Sequence, residues 1–412
     1  NNSGGNLVNR GPAYTELALF AKLNKDRRLD LINHLGIELG SSPEEILVNL
    51  EKGNFDLNNI KPSQNMASDQ NYQIRVRDIK ADTPARFNAD RRRLYETSGC
   101  AGKVAVFAVR LDTFPLPKQE KVFFVGTNNP QNFTTLRQEI LSQHSSLPDM
   151  GEYMHKSYFD GSYKYCKDNF IFIKYFGTKA LQSVFKFKNL LDITFNNINF
   201  LPKNITDAHL QLFARFFPNH LSKRIRNISK SYEHYMIFLA SDSSIQMMRN
   251  TLTNYKSTNS IEFLECSNLE GQDLLLHRYV AGSAPSRYQK IESSKSSEIL
   301  PLDIALPRNF TSWYEIFPED ILSQMSNYFY MGHFLCMVFH CDFVVNKDVN
   351  VSQLKQRIFK ILDDYNAKYP AEHNVGHLYK ADYNLQKFYI HLDPTNSFNA
   401  GIGKTSKNKN YL

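Results

Sequence analysis

The sequence predicts an α+β protein of more than one domain, with a basic segment inserted among the mixed elements. Three observations support this prediction. With 412 residues, the chain is too long to fold around one hydrophobic core. Strand-like and helix-like patterns follow one another along it, and a net charge of +8 is concentrated in one stretch. The 42% of hydrophobic and 22% of charged residues are typical of folded proteins.

The elements follow in order. Residues 1–112 mix short strands and turns, with a strand predicted at Val104–Leu111 and a polar loop at Glu51–Gln73. Lys121–Leu141 predicts a strand, a turn and an amphipathic helix. Phe329–Val345 is apolar and β-prone, and Asn350–Tyr369 predicts a second amphipathic helix. A strand–helix pair followed later by a helix–strand pair indicates an α+β unit of ferredoxin-like type.

The basic excess lies between His155 and Ser231. This segment has 13 Lys or Arg against four Asp and no Glu, and it holds 15 of the Phe and Tyr residues. Interleaved cations and rings suit an anionic membrane surface, a nucleic acid, or an aromatic core with a solvated basic face. No RNA-recognition or helix-turn-helix pattern supports nucleic acid, and charge alone does not decide among the three.

The five cysteines are far apart and form no CxxC pair, which argues against a disulfide framework and a structural zinc site. No apolar run approaches the roughly 18 residues that span a bilayer. The chain opens without Met on a loop that contains Gly4 and Gly5, which is typical of the middle of a domain. We therefore expect a C-terminal fragment of a longer protein. Glycines allow close approach to a ligand, although an ordinary turn is the better explanation of this loop taken alone.

Histidines cluster late in the chain. His333 and His340 flank an apolar stretch, and Glu372, His373 and His377 follow after one helix. Such a cluster fits a general base, a metal site or polar core residues. A spacing of seven puts the first two histidines on opposite faces of a regular strand. We therefore expect both to reach one site only if that strand bends or bulges.

Two arginines lie next to aromatic residues, at Arg278 and Arg287. A guanidinium can hold a small carboxylate with two hydrogen bonds, although an arginine beside a ring is also a common surface feature. Gly102 lies in a small-residue turn before a predicted strand, and Val106 on that strand could pack against a ring. Taken alone, these residues are better explained as an ordinary turn that leads into a strand.

Several blocks resemble the quinone-dependent D-lactate dehydrogenases of bacteria, flavoproteins of the p-cresol methylhydroxylase and vanillyl-alcohol oxidase group. They run in family order from residue 1 to about residue 408. The blocks are Asn1–Gly5 with Arg10–Glu16, Asp82–Asn88, Gly151–His155, Tyr369–Tyr379 and Asp393–Ser397.

The resemblance implies a truncated FAD-binding domain of the p-cresol methylhydroxylase type, a ferredoxin-like α/β cap and a basic membrane-binding insert. It thereby favours lipid over nucleic acid as the partner of the basic segment. The implied segments are 1–112 and 364–412 for the FAD-binding domain, 113–154, 232–269 and 294–363 for the cap, 155–231 for the insert, and 270–293 for a membrane-binding segment at the cap edge.

The implied activity is FAD-dependent oxidation of D-lactate to pyruvate, with electrons passed to ubiquinone or menaquinone. A related dehydrogenase for another D-2-hydroxy acid, such as glycolate or 2-hydroxyglutarate, is the alternative. The implied location is the cytoplasmic face of the bacterial inner membrane, where a peripheral protein would contact anionic phospholipid. No nucleic-acid partner is expected.

The resemblance also implies roles for single residues. Gly4, Gly5, Gly102 and Val106 match flavin-contacting positions. His373 would take the substrate's hydroxyl proton, with His340 as its helper, and Glu372 with His373 matches a Glu-His pair that lies over the flavin ring.

His333 and His340 stand where metal-dependent relatives carry two ligands. Those relatives have a Gly-Asp-Gly-Asn turn between the two histidines, and this chain has apolar residues there, so no metal is expected. Arg278 or Arg287 would hold the substrate carboxylate. Ala400 replaces the family's proline in the closing motif, so a looser turn is expected there.

Overall fold

A computed structural model describes residues 8–61, 63–196, 204–258, 261–373 and 375–412. The chain divides into two compact units. Unit 1 comprises the described residues of Asn1–Val76, Ala85–Leu116 and Tyr369–Leu412, and unit 2 those of Arg77–Pro84 and Pro117–Lys368. The predicted mixture of helices and strands is confirmed. The seven-segment domain assignment is finer than this two-way division and remains a prediction.

Unit 1 begins with a three-stranded antiparallel sheet in the order β2-β1-β3. Its early elements are β1 (Ala18–Leu23), β2 (Leu29–Asn33), α1 (Pro43–Lys52), α2 (Tyr72–Arg77) and β3 (Ala105–Val109). Ser42 caps α1 by accepting a hydrogen bond from the Glu45 amide, and Gly53 ends it in the left-handed region. The predicted strand within 104–111 is confirmed, and the predicted loop at 51–73 contains one short 3₁₀ turn between the two helices.

Unit 2 is built on a seven-stranded antiparallel sheet in the order β7-β4-β6-β5-β9-β10-β8. In chain order its elements are β4 (Glu120–Thr127), α3 (Gln131–Gln143), β5 (Met150–His155), α4 (Lys156–Tyr165), α5 (Lys167–Phe176), α6 (Leu181–Asn196), α7 (Ile205–Ala214), α8 (Lys223–Ser231), β6 (His234–Ser241), α9 (Ser243–Thr258), β7 (Ile261–Glu265), α10 (Asn268–Val280), α11 (Ala284–Ile291), β8 (Ser296–Ala305), α12 (Glu319–Leu322), β9 (Met325–His333), β10 (Val338–Asn346) and α13 (Val351–Asp364).

Four strands and two helices of unit 2 follow the β-α-β-β-α-β order of a ferredoxin-like split βαβ arrangement. These are β4, α3, β5, β6, α9 and β7, with the strands side by side as β7-β4-β6-β5. The connection between β5 and β6 would be a short hairpin turn in the simplest version. Here its described residues, 156–196 and 204–233, form the helices α4–α8. The basic aromatic segment of the sequence occupies this connection.

The strand predicted at 329–345 is two strands. β9 and β10 form an antiparallel hairpin, joined by the 3₁₀ turn Phe334–Cys336 and by Met337 in the left-handed region. His333 and His340 therefore lie on two strands joined by a chain reversal, and not on the single bent or bulged strand that their spacing would have required. The sequence conceals this turn, because Phe334–Met337 is wholly apolar and contains no glycine, proline or asparagine to mark it.

The second predicted amphipathic helix is confirmed as α13, which buries Leu354, Ile358 and Leu362. The Asn350 side chain caps it by accepting from the Gln353 amide. The helix ends at Asp364, five residues earlier than predicted. Unit 1 then closes with α14 (Tyr383–Leu392), whose Leu385 and Tyr389 pack with Ile402.

Candidate functional site

A row of polar side chains crosses four neighbouring strands of unit 2, and we call it the polar stripe. It consists of Glu152 on β5, His333 on β9, His340 on β10 and Asp303 on β8. Glu152 is paired directly opposite His333, and Asp303 directly opposite His340. Directly opposed residues of antiparallel strands project from the same face, so each histidine meets a carboxylate. The hairpin register places the two histidines diagonally on this face, since His333 pairs with Val338 and His340 with Met331.

Each side chain of the stripe contacts the next one. His333 Nδ1 lies 2.7 Å from Glu152 Oε1, and His340 Nδ1 lies 3.4 Å from Asp303 Oδ1. The two Nε2 atoms face each other at 3.2 Å. A carboxylate beside Nδ1 orients an imidazole, so that its Nε2 faces away from that carboxylate. Both reactive nitrogens are therefore directed at one point.

Arg278, from α10, binds the other oxygen of Glu152. Its Nη2 lies 2.8 Å and its Nε 3.1 Å from Glu152 Oε2. Burial would raise the pKa of this carboxyl, but the charges of His333 and Arg278, with the hydrogen bond from His333, lower the pKa to about 2. Glu152 is 1% exposed and is ionised at neutral pH, so it balances positive charge at its two partners.

The stripe has two chemical capabilities. One proton can be shared between the facing Nε2 atoms, so the pair can accept a proton from a third group. The pair could also hold a divalent ion, because two ligands on a tetrahedral zinc are separated by about 3.3 Å. The substituted turn that argued against a metal in the sequence does not prevent the two histidines from converging. The expectation that no metal binds therefore remains a prediction.

Two other histidines of unit 2, His155 and His234, are buried polar residues of its core. Burial lowers the pKa of His155 to about 3 and that of His234 to about 4. His234 Nδ1 lies 2.8 Å from the Tyr153 hydroxyl, and His155 Nε2 lies 3.1 Å from the Tyr314 hydroxyl. Such weak bases are poorly matched to proton abstraction at neutral pH. They belong to the aromatic core of the unit.

Arg287 does not join the stripe through any hydrogen bond or ion pair in the described part of the chain. Its Nη1 lies 2.7 Å from Asp168 Oδ2 and its Nε 3.5 Å from Asp207 Oδ1. Two carboxylates match its charge, so it is a poor receptor for a third. Of the two predicted arginines, the structure therefore places Arg278 at the stripe and pairs Arg287 with other carboxylates.

Glu372 and His373 belong to unit 1 and lie near the start of its last segment, Tyr369–Leu412. The Glu372 carboxylate forms a buried ion pair with Arg86, and both side chains are about 5% exposed or less. The His373 carbonyl accepts from the Asn88 amide, while the residue itself is exposed. His377 lies 3.1 Å, through Nδ1, from the Gly401 carbonyl and so has a structural role.

The proposed flavin-contacting positions fall in two places. Gly4 and Gly5 lie outside the described residues. Gly102 has a φ of +79°, a conformation that favours glycine, and its turn leads into β3. Val106 on β3 is 44% exposed, so an apolar side chain is available to a ligand at this sheet. Within unit 1, Lys103 beside this turn is fully buried and donates to Asn396 Oδ1 at 2.7 Å.

Sequence reasoning missed three residues of these sites: Glu152, Asp303 and Arg86. Glu152 and Arg86 lie in blocks that carry the family resemblance, yet nothing near them in sequence signals a histidine or a glutamate partner. Glu152 meets His333 through the pairing of their strands, and Arg86 meets Glu372 because distant parts of the chain come together in unit 1. Both contacts depend on tertiary structure. The local signal available is a carboxylate among apolar residues, as at Asp303 in the second half of β8, Leu300–Ala305.

Three curated relatives are similar in sequence to this chain along nearly its whole length. The quinone-dependent D-lactate dehydrogenase of Escherichia coli strain K12 is 47% identical over 411 residues, which are 100% of this chain and 72% of the relative. Those of Haemophilus influenzae and Corynebacterium glutamicum are 46% and 37% identical, over 73% and 72% of their lengths and 99% and 100% of this chain. Residues 122–411 match the family model described as D-lactate dehydrogenase, membrane binding.

The chain belongs to the quinone-dependent D-lactate dehydrogenase family. The resemblance carried by the short sequence blocks is thereby confirmed. Among solved structures, a 4-ethylphenol oxidase from Gulosibacter chungangensis matches 73% of this chain and 56% of its own, at a TM-score of 0.39 and 9% identity. That likeness is too weak to assign the fold. No described helix combines the length and apolarity needed to cross a bilayer.

Proposed function

We propose that this member of the D-lactate dehydrogenase family oxidises D-lactate to pyruvate and passes the electrons to a membrane quinone, ubiquinone or menaquinone. The polar stripe is the observation that carries the proposal. It provides what oxidation of a 2-hydroxy acid requires of a protein, a paired imidazole base beside an arginine. D-lactate loses two electrons and two protons in becoming pyruvate, and a quinone gains the same to become a quinol.

The His333–His340 pair is the proposed centre that accepts the hydroxyl proton. Glu152 and Asp303 hold the Nδ1 sides, so the proton is received at Nε2. His373 is a second candidate through the family resemblance, and it belongs to unit 1. Separate variants of His340 and His373 distinguish the two.

Arg278 is the proposed partner of the substrate carboxylate. Its hydrogen bonds within the described residues use Nε and Nη2, both to Glu152, so Nη1 is left for an anion. The buried carboxylate of Glu152 holds the guanidinium in place. Such positioning lowers the entropic cost of bringing the reacting carbon into place.

FAD is the proposed cofactor, held in part by a p-cresol methylhydroxylase-type domain that includes unit 1. Gly102 and Val106 fit that role, because a glycine turn without a side chain and an exposed apolar side chain both allow a flat ring to approach. Bound FAD would supply the hydride acceptor.

The insert α4–α8 is the proposed docking surface for anionic phospholipid on the cytoplasmic face of the inner membrane. Its exposed apolar side chains support this proposal, since scattered single residues are ordinary but a concentration of them marks an interaction surface. The most exposed lie on α5, α6 and the end of α7: Tyr175, Phe176, Leu190, Ile193, Leu212, Phe213 and Phe216, from 49% at Leu212 to 80% at Phe216. Lysines among them would meet lipid phosphates.

The substrate test measures turnover of the full-length enzyme in detergent with a short-chain ubiquinone. We expect kcat/KM to be highest for D-lactate, with glycolate and D-2-hydroxyglutarate at least about tenfold lower. A preference for either of those acids would contradict the D-lactate assignment. L-lactate is the matched control, since only the arrangement around Cα differs.

The membrane test measures co-sedimentation with vesicles of phosphatidylglycerol and phosphatidylcholine. Binding should rise with the anionic fraction, fall with salt, and resist competition by RNA. Failure to bind at low salt, or displacement by RNA, would contradict lipid docking. Vesicles of phosphatidylcholine alone are the control.

A further inference from the structure

Three helices of the insert, α5, α6 and α7, and the later helix α11 line a cavity of about 570 Å³. Apolar side chains form much of the lining, at Ile171, Phe172, Leu191, Leu210 and Phe217. A volume of this size is in the range of small-ligand pockets.

The cavity's polar end carries an ion-pair network. Asp207 lies 2.9 Å from Lys188 Nζ and 3.0 Å from Lys290 Nζ, and Asp168 binds Arg287. Lys188 also lies 2.7 Å from Asp192. Three cations therefore face three carboxylates. This balance disfavours an anionic group, since a phosphate would compete with carboxylates that are already paired.

Neutral polar groups lie beside this network. Asn169 donates from Nδ2 to the Ser283 hydroxyl at 3.1 Å, and Thr206 and Ser286 also line the cavity. An amide has two N–H groups and a lysine three, so donors remain for an uncharged acceptor such as a carbonyl. A lipid acyl chain has no hydrogen-bond acceptor, so it would not use these donors.

The other end of the cavity is aromatic and open. Phe176, which is 67% exposed, lines it together with the 38% exposed Phe217. These rings adjoin, along α5 and the end of α7, the exposed apolar residues of the proposed membrane surface. A molecule dissolved in the bilayer could therefore enter without crossing water.

We propose that this cavity binds the head group of a lipid-soluble quinone, with its carbonyl oxygens toward Asn169 and Lys290 and its isoprenoid tail toward Phe176. The inference rests on the proposed function, which supplies the reaction. D-lactate gives up two electrons and two protons, and the two carbonyl oxygens of the quinone become hydroxyls, so the exchange balances. The cavity adds a place for the acceptor.

The first test fills the cavity with Leu210→Trp in the full-length enzyme. We expect the KM for a short-chain ubiquinone to rise about tenfold, from overpacking, while turnover with a soluble dye acceptor stays unchanged. Leu269→Trp is the matched control, since Leu269 is an exposed leucine on α10 and does not line the cavity. An unchanged quinone KM in Leu210→Trp would overturn the proposal.

A second measurement does not depend on the variant's folding. An azidoquinone is photolysed with the wild-type enzyme, and labelled peptides are mapped. We expect labels on α5, α7 or α11, removed by unlabelled ubiquinone and retained with excess phosphatidylglycerol. Labels confined to other elements, or displacement by the phospholipid, would overturn the proposal. If the wild-type enzyme reduces no quinone at all, the proposed function fails instead, which separates the two outcomes.

Discussion

Replacing Glu152 with glutamine removes one charge from the polar stripe while it keeps the side chain's shape. The pKa of Glu152 falls from 4.5 to about 2, with burial opposing and His333 and Arg278 favouring the ionised form. At about 1.4 kcal/mol for each pKa unit, the folded protein favours the carboxylate by about 3 kcal/mol. Glu152→Gln should therefore lower the free energy of unfolding by an amount of this order. The corresponding fall in Tm is on the order of 5 °C.

Activity should fall as well, because His333 loses the partner that orients it. We expect kcat/KM for D-lactate to drop about 10–100-fold with a soluble dye acceptor, the usual cost of losing a carboxylate behind a histidine. Glu265→Gln is the matched control. Glu265 also binds an arginine, Arg249, at 2.8 Å, but its side chain is 30% exposed, so its loss should cost at most about 1 kcal/mol.

Circular dichroism during heating measures the Tm of each variant, and steady-state kinetics measures its kcat/KM. If Glu152→Gln matches Glu265→Gln in both Tm and kcat/KM, the charge of Glu152 has no such role. A large fall in Tm with unchanged kcat/KM would limit Glu152 to the stability of the fold.

Three further predictions follow. Because Glu152 has a lowered pKa, its stabilisation is complete above about pH 4.5 and is lost as pH falls toward 2, so wild-type Tm should drop more steeply than that of Glu152→Gln in this window. His373→Ala should lower kcat about 100-fold if His373 is a base, and near-normal turnover would remove it from that role. Phe213→Ser with Phe216→Ser should weaken vesicle binding about tenfold or more in co-sedimentation, since both rings are exposed, and unchanged binding would place the membrane contact elsewhere.

Much of the fold was predictable because it depends on local pattern. The amphipathic period at α13 and the strand–turn–helix run of β4 and α3 are periodic signals that a window of residues contains. The hairpin of β9 and β10 was not, because Met337 adopts the left-handed region without being glycine or asparagine. An apolar sequence through a turn gives no local signal of the chain reversal.

The candidate site was predictable to a similar extent. Histidine density marked His333 and His340, and adjacency to an aromatic residue marked Arg278. Glu152 lies 181 residues before its partner His333 in the sequence. Asp303 meets His340 through a strand register that no local pattern encodes. Arg287 satisfied the same sequence criterion as Arg278, and only its carboxylate neighbours distinguish it.

The central claim is that the facing imidazoles of the polar stripe accept the proton of D-lactate. The most direct measurement is kcat/KM for D-lactate in His340→Asn, compared with His391→Asn near the end of α14 as the control. We predict a loss of about 100-fold or more in His340→Asn, with Tm within a few degrees of wild type, and normal kinetics in His391→Asn. A kcat/KM within about twofold of wild type in His340→Asn would contradict the claim.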